Sequence, residues 1–436
     1  MLLGNFIKNI NRKYYKTYFS GVAFNSKQVK KDNIFFAIEG TKFDGNEYIF
    51  DAINNGAKII ISKKNIKFRD KNIIFLREDN PRKLLAEISF KLIKNKPTNL
   101  IAVTGTNGKS SIADFYYQIL TLNNKKAATI GTLGVRSKTL NFDLLNTTID
   151  PIHLGQILKK LKNHRIENVI MEASSHGLDQ NRLDGLIFNT GIFTNLSQDH
   201  LDYHKNLKDY LDAKLYLFRN LIKKKGNIIT DSKIPEFVEI KKIAKKKFLK
   251  LNTIEGKNEK LKILTHSFHD ESQILKIKYK GLVKHIRINL IGKIQIKNIL
   301  MALIAAEKSG LNLNKILNVL PSLKPIEGRF EKVGMIKNKS KVVLDYAHTP
   351  DALKTCLLNL KEQFPDKKII SLFGCGGNRD QNKRSKMGKI ADMFSDEIYL
   401  TDDNPRFESS YKIRKDIRTG IKKTKVIEIS DRGKAI

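Results

Sequence analysis

Leu100-Ile101-Ala102-Val103-Thr104-Gly105-Thr106-Asn107-Gly108-Lys109-Ser110-Ser111 is the stretch of this 436-residue chain that decides its fold. An apolar run enters two glycines, Lys-Ser-Ser follows, and Ile112 to Leu122 has a helical pattern. Strand, glycine turn and helix in that order form a phosphate cradle. The glycines let backbone N–H groups close around phosphate oxygens. The helix N-terminus adds partial positive charge. Lys109 is placed to reach the β- and γ-phosphates of a nucleotide, and Ser110 or Ser111 to hold Mg²⁺. The spacing departs from the general phosphate-loop pattern: the fifth residue before Gly108 is Val103, and the first glycine is Gly105. The bland alternative is an ordinary glycine turn; the strand–helix context argues against it.

Composition narrows the class. The length predicts two to four domains. Two cysteines, Cys356 and Cys375, exclude a disulfide scaffold and fit a reducing compartment. No apolar run approaches the ~18 residues of a membrane span, and Leu2 to Ile10 lacks a signal-peptide core. A cytoplasmic protein with no membrane partner is expected. The formal net charge is +37, from 81 Lys+Arg against 44 Asp+Glu. Such an excess suits an anionic partner. Here the lysines are scattered (Lys223–Lys225, Lys245–Lys247, Lys422-Lys423) and form no aromatic-interleaved stripe. Compositional drift over solvated faces is therefore preferred to a nucleic-acid surface, and no nucleic-acid partner is expected.

Three segments follow along the chain. Residues 1–96 carry short strands such as Ile34–Ile38 and Lys58–Ile61 between glycine turns, and end in the linker Asn95-Lys96-Pro97-Thr98. Residues 97–323 alternate strands with helical patterns, which predicts a mostly parallel, doubly wound α/β sheet. Pro321-Ser322-Leu323-Lys324-Pro325 marks a second boundary, and residues 324–436 add further strand-then-loop units, a Rossmann-like pattern. Polar clusters fall directly after apolar strands at Glu172–Gly177, Asn195–His200, Asp345–Asp351, Gly374–Asp380 and Thr401–Arg406. In open α/β sheets the binding crevice lies at the carboxyl ends of strands. Five such clusters point to a cleft between domains.

These residues carry a resemblance to the Mur ligases, the ATP-dependent family that adds amino acids to the peptidoglycan precursor. Gly105–Ser111 is similar to the family's Gly-Thr-Asn-Gly-Lys-Thr-Thr loop. Asn146-Thr147-Thr148, Met171–Gly177, Thr194–His204, Asp345–Leu353, Gly374–Gly388 and Asp403–Arg406 resemble the tripeptide-synthetase (MurE) type. The resemblance covers nearly the whole chain. It implies a three-domain α/β architecture: a uridine-diphosphate-binding domain (1–96), a central ATP-binding domain (97–323) and an amino-acid-binding domain (324–436). It also implies that a substrate carboxylate is activated by ATP as an acyl phosphate, which an amine then attacks.

The resemblance further implies the site residues. ATP would meet Gly105, Thr106, Asn107, Gly108, Lys109, Ser110, Ser111, Asn298, Arg329 and Asp345. Mg²⁺ would be held by Ser110, Glu172, His200 and Lys214, the last carbamylated by CO₂; without the resemblance Lys214 reads as a snorkelling surface lysine. Lys109, Lys214, Glu172 and His200 are thus the implied catalytic set. The UDP-muramoyl-dipeptide would meet Ser26, Thr41, Lys42, Phe43, Asn146, Thr147, Thr148, Ser174, Gln180 and Arg182, whose hydroxyls, amides and guanidinium suit its polar groups. Asp403, Asn404, Pro405 and Arg406 match the pattern associated with meso-diaminopimelate. Arg406 can pair bidentately with the distal carboxylate that lysine lacks, and Arg379 is a second anchor.

Departures are visible. Ser110-Ser111 replace Thr-Thr, Ile149 stands where proline is typical, and Asn378 where aspartate is common. The family continues past the helix that Asp431 would cap to a Gly-Lys-Gly-His-Glu segment; this sequence stops at Ile436, so a shortened third domain is expected. Four alternatives stay open: a lysine-adding ligase, a folylpolyglutamate-type ligase, an inactive nucleotide-binding homologue and a nucleic-acid-binding module. A monomer is the expected state.

Overall fold

The computed structural model describes residues 1–436 apart from 9, 41–42, 67–69, 255–260, 280 and 337. Thr41 and Lys42 of the expected uridine site therefore lie outside the described residues. The chain falls into two compact units, 1–102 with 126–189 and 216–226, and 103–125 with 190–215 and 227–436.

The first unit opens with a four-stranded parallel sheet ordered Val22–Ala23, Asn33–Ala37, Ala57–Ser62, Ile74–Arg77. Its inner strands are mostly apolar because both faces are covered, as parallel sheets require. Ile34, Phe36, Ile59 and Ile61 meet Leu85 and Ile88 of helix Pro81–Leu92 on one face. Phe35 and Ile60 meet Ile49 and Ala52 on the other. The same unit holds strand Asn168–Glu172, paired in parallel with Ala127–Gly131, which turns back antiparallel into Gly134–Ser137. Helix Pro151–Asn163 starts sharply because Pro151 presets the first turn and Asp150 accepts from the Ile152 and His153 amides.

The central sheet has seven strands, in the order Lys250–Ile254, Ile222–Asp231, Phe188–Phe193, Asn99–Thr104, Asn168–Glu172, Ala127–Gly131, Gly134–Ser137. The expected doubly wound sheet is thus present, with an antiparallel strand at one edge. In the second unit, helix Lys109–Leu122 packs along helix Lys293–Lys308, whose Ile296, Ile299, Leu300 and Leu303 are buried. The expectation of uninterrupted strand–helix alternation over 97–323 needs correction. Leu261–His269, Ser272–Tyr279 and Leu282–Ile288 form a three-stranded antiparallel meander. Its second and third strands in part alternate apolar residues with Lys, His and Arg, which leaves the polar positions toward solvent.

Residues beyond 324 form an antiparallel hairpin, Glu331–Met335 with Lys341–Leu344, and a parallel sheet of Ile370–Phe373, Glu397–Leu400 and Lys425–Glu428. Helices Pro350–Gln363, Lys383–Phe394 and Ser410–Arg418 cover that sheet through Leu357, Met387, Ala391, Ile413 and Ile417. Asp431 caps a final short helix, as the sequence predicts.

Removing the Asp150 cap by Asp150→Ala should lower stability by about 1 kcal/mol. Chemical denaturation reads this directly, and an unshifted midpoint would show that the cap contributes nothing.

Candidate active site

The second unit builds the phosphate loop. Strand Asn99–Thr104 ends at Gly105, whose φ of +144° only glycine adopts readily; a Cβ there would lie 1.8 Å from Thr194 Oγ1. Gly108, at φ +85°, approaches Asn298 so closely that a Cβ would lie 2.8 Å from its Oδ1. The helix begins at Lys109, three residues before the apolar pattern suggests. Its first-turn amides and the loop amides make the cradle.

Side chains after strand Phe188–Phe193 lock that loop. Thr194 Oγ1 donates to the Asn107 carbonyl (2.6 Å), and Asn195 Oδ1 accepts from the Asn107 amide (3.0 Å). The Ser197 amide donates to Thr106 Oγ1 (3.0 Å), which also lies 3.3 Å from the Tyr210 hydroxyl. Lys109 Nζ donates to the carbonyls of Gly105 (3.0 Å) and Thr106 (2.8 Å).

Lys214 is not the surface lysine its helical pattern suggests. It is 1% exposed, and its Nζ donates to the Gly105 carbonyl at 2.8 Å while lying 4.2 Å from the centre of the Tyr210 ring. Burial first, then the neighbouring Lys109 charge, hold its amine well below the ordinary lysine range; Asp199 works the other way. The helix carrying it, Leu207–Tyr216, passes into a π turn over Leu217–Leu221, a distortion found often at functional sites.

His200 sits beside this group at φ +54°, with its ring 6.1 Å from Tyr210 and its Nε2 3.5 Å from Asp199 Oδ2. Asp199 also faces His348 Nε2 at 3.7 Å. Burial pushes the Asp199 carboxyl up, but His348 and His200 outweigh it and hold the group below the usual carboxylate range. Asn107 Nδ2 lies 3.5 Å from Asp351 Oδ2. Asn298 is buried and bonded to Gln295, which also reaches the Arg329 carbonyl. The Arg329 guanidinium lies over the Tyr346 ring at 4.3 Å. Asp345 accepts from the Phe330 amide, and burial pushes its carboxyl up. The second unit therefore gathers the loop, Lys214, His200, Asn298, Arg329 and Asp345.

The first unit holds the other candidates. Glu172, 4% exposed at the end of its strand, accepts from the Thr132 amide (2.9 Å) and Thr132 Oγ1 (3.1 Å). Gly131 leaves it room: a Cβ there would lie 2.3 Å from Glu172 Oε1. Thr148 Oγ1 donates to the Glu172 carbonyl and accepts from the Ser174 amide, both at 2.9 Å. Thr147 Oγ1 lies 3.1 Å from Thr132 Oγ1. Arg182 donates to the Thr148 carbonyl and grips Gln180 Oε1 at 2.7 Å. Ser174 caps the short helix Ser175–Asp179. Six expected substrate and metal residues are thus joined in one hydrogen-bonded cluster, whereas Asn146 is exposed. Ser26 is buried in the first sheet's loop, and Phe43 is 69% exposed.

In the third segment, Arg379 lies 3.8 Å from Asp202, and Arg406 donates to the Gly377 carbonyl at 2.6 Å. Cys375 is buried 3.6 Å from Met387 Sδ, and burial pushes its thiol up to about 11. Thr194, Asn195, Asp199, Tyr210 and His348 escaped selection as individuals. Their signal was the strand-end clusters, except for Tyr210, which hides in an apolar helix face. Among the described residues no group of three acidic, histidine or cysteine side chains stands ready as a metal site. No helix among them is long and apolar enough to cross a membrane.

A phosphate loop at the head of a doubly wound sheet, followed by a second α/β segment bearing Arg379 and Arg406, is the layout of a nucleotide-dependent enzyme. Comparison with known families agrees. The Mur ligase middle domain matches residues 103–306, the Mur ligase glutamate ligase domain 328–436 and the Mur ligase catalytic domain 18–89. UDP-N-acetylmuramoyl-L-alanyl-D-glutamate--2,6-diaminopimelate ligase of Rickettsia prowazekii is 37% identical over 434 residues, covering 98% of this chain and 89% of the relative. A solved structure of a ligase of the same name superposes with a TM-score of 0.73 at 28% identity, over 98% of this chain and 87% of that one. MurF ligase from Thermotoga maritima in complex with ADP shares the fold, with a TM-score of 0.61 at 19% identity over 94% of each chain. The chain belongs to the Mur ligase family and has its three-domain α/β fold.

Gly105→Ala drives a methyl group into Thr194. ATP affinity should fall at least about tenfold, about 1.4 kcal/mol, by calorimetric titration. Unchanged affinity would mean that the loop geometry is not what grips the nucleotide.

Proposed function

We propose that this chain joins meso-diaminopimelate to UDP-N-acetylmuramoyl-L-alanyl-D-glutamate in the cytoplasm, using ATP, as a monomer. The observation that carries the reading is the likeness to the Rickettsia prowazekii ligase along 98% of the chain. Residues 1–96 are assigned to the uridine end, 97–323 to ATP and 324–436 to the amino acid. Ser26, Thr41, Lys42 and Phe43 would take the UDP moiety. Asn146, Thr147, Thr148, Ser174, Gln180 and Arg182 would take the muramoyl-dipeptide.

In this reading the substrate carboxylate attacks the γ-phosphorus of ATP; ADP leaves and an acyl phosphate forms. The amine of the acceptor then attacks the acyl carbon, the tetrahedral adduct loses phosphate and a proton, and an amide remains. Phosphoryl transfer mainly needs positioning and charge neutralisation. Lys109 and the loop amides of Gly105–Ser111 supply both, and Asn298, Arg329 and Asp345 hold the nucleotide. Mg²⁺ would neutralise the triphosphate further. The donor chemistry fits at Ser110 and Glu172, whose oxygens suit a hard cation. His200 offers nitrogen, a less suited donor, and Lys214 qualifies only as its carbamate. Burial shifts the amine toward its neutral form, and it is a neutral Nζ that adds to CO₂, forms the N–C bond and releases one proton. Arg406 would pair with the distal carboxylate of the acceptor, supported by Arg379, Asp403, Asn404 and Pro405. An unpaired arginine facing lysine in that place would be strongly unfavourable.

Purified protein given UDP-dipeptide and ATP should release phosphate with diaminopimelate and far less with lysine. Preference for lysine, or for a folate acceptor, would overturn the reading, and nucleotide binding without acceptor-dependent turnover would identify an inactive homologue. Lys109→Ala should reduce turnover at least about a hundredfold; tripeptide formation at the parent rate would refute the phosphate-loop assignment. Lys214→Ala should lose turnover irrespective of added bicarbonate, and activity equal to the parent's would reject the carbamate.

A further inference from the structure

Arg384 is the largest fully buried side chain of the described residues, with the whole residue 0% exposed. Its Nη2 donates to Glu408 Oε2 (2.8 Å) and its Nη1 to Asp416 Oδ2 (2.9 Å), while its Nε has no hydrogen-bond partner. Buried ion pairs are a poor route to stability, because desolvation consumes most of the attraction. One guanidinium N–H left unsatisfied makes this one poorer still. Its purpose is better sought in what it holds.

It holds two loops. Glu408 Oε1 accepts from the Asn378 amide, Asn378 Oδ1 accepts from the Phe407 amide (3.0 Å), and Gln381 Nε2 lies 3.4 Å from Glu408 Oε2. The Gly377 amide donates to the Asn404 carbonyl (2.9 Å). The Gly377 carbonyl accepts from Arg406 (2.6 Å). The backbones are so close that a Cβ on Gly377 would lie 1.9 Å from the Pro405 carbonyl oxygen. Two non-glycine residues of this crossing adopt left-handed backbone, Asn378 at φ +50° and Arg406 at φ +52°. Asparagine tolerates that region; for arginine it costs about 1–3 kcal/mol and persists only where surroundings impose it. The imposed residue is the one proposed to read the acceptor, and Arg379 follows Asn378 directly.

We propose that Arg384, Glu408 and Asn378 are positioning residues that set acceptor specificity. From beneath the two loops they hold Arg406 and Arg379 in one fixed arrangement, so that the site recognises an amino acid with a second carboxylate. The inference rests on the proposed function. It adds that specificity depends on three residues behind the arginines, none of which needs to touch the substrate.

The test uses the full chain with Glu408→Gln, Asn378→Ala and Asn378→Asp; Arg384→Lys is a fourth variant, exposed to misfolding because the site is buried. For Glu408→Gln and Asn378→Ala, KM for diaminopimelate should rise at least about tenfold and the preference over lysine should shrink, with KM for ATP unchanged. Asn378→Asp keeps an acceptor oxygen for the Phe407 amide and should retain parent values. Amide hydrogen exchange at Asn378 and Phe407 reads the same positioning without substrate and should quicken at least about tenfold in the first two variants. Parent-like KM and exchange would overturn the inference, as would equal rises in both KM values, the mark of general loosening. If the parent itself ignores diaminopimelate, the proposed function fails, while exchange still decides whether the network holds the loops.

Discussion

Two lysine side chains converge on one carbonyl oxygen, that of Gly105. Like charges held on one oxygen repel each other. Enclosure of Lys214, together with the Lys109 charge, favours its neutral amine and so eases that repulsion. Much of the surrounding structure serves this arrangement. Gly105 lacks the side chain that would push Thr194 away, Thr194 and Asn195 fasten the loop from the next strand, and Tyr210 covers Lys214 from its own helix.

The same logic of rigid support recurs away from the loop. Glu172 is aimed by Thr132 and by the absence of a side chain on Gly131, and Thr148 ties its backbone to Ser174. Further along the chain, a buried guanidinium fastens the loops that carry Arg379 and Arg406. In each case a candidate site residue stands on a loop or at a strand end, and hydrogen-bonded partners remove its freedom. Reorganisation is then paid during folding and not at each turnover.

Legibility in the sequence tracked the length of the interaction. The phosphate loop could be read because its chemistry is local: strand, glycines, Lys-Ser and helix are contiguous. The parallel strands could be read from apolar runs, and Asp431 as a cap from its position. Glu172, Lys214, His200 and Arg406 rested on family resemblance, with residue type supporting Glu172 as an oxygen donor and Arg406 as a bidentate partner. The environment of Lys214 was not legible, because its burial depends on Tyr210 four residues earlier and on Gly105 over a hundred residues away. The meander at 261–288 was missed because alternation of isoleucine with lysine was absorbed into the general lysine excess. Arg384 drew no reading of its own. Its carboxylate partners at Glu408 and Asp416 lie 24 and 32 residues away, beyond any local pattern.

The left-handed backbone at Arg406 carries its own filter on mutation. β-branched replacements would meet the strain that arginine already bears. Glycine would relieve it while deleting the guanidinium. The relief of backbone strain at this position offsets part of the loss of the bond to the Gly377 carbonyl. If Arg406 reads the acceptor as proposed, discrimination among amino acids becomes the trait most readily eroded by one codon change.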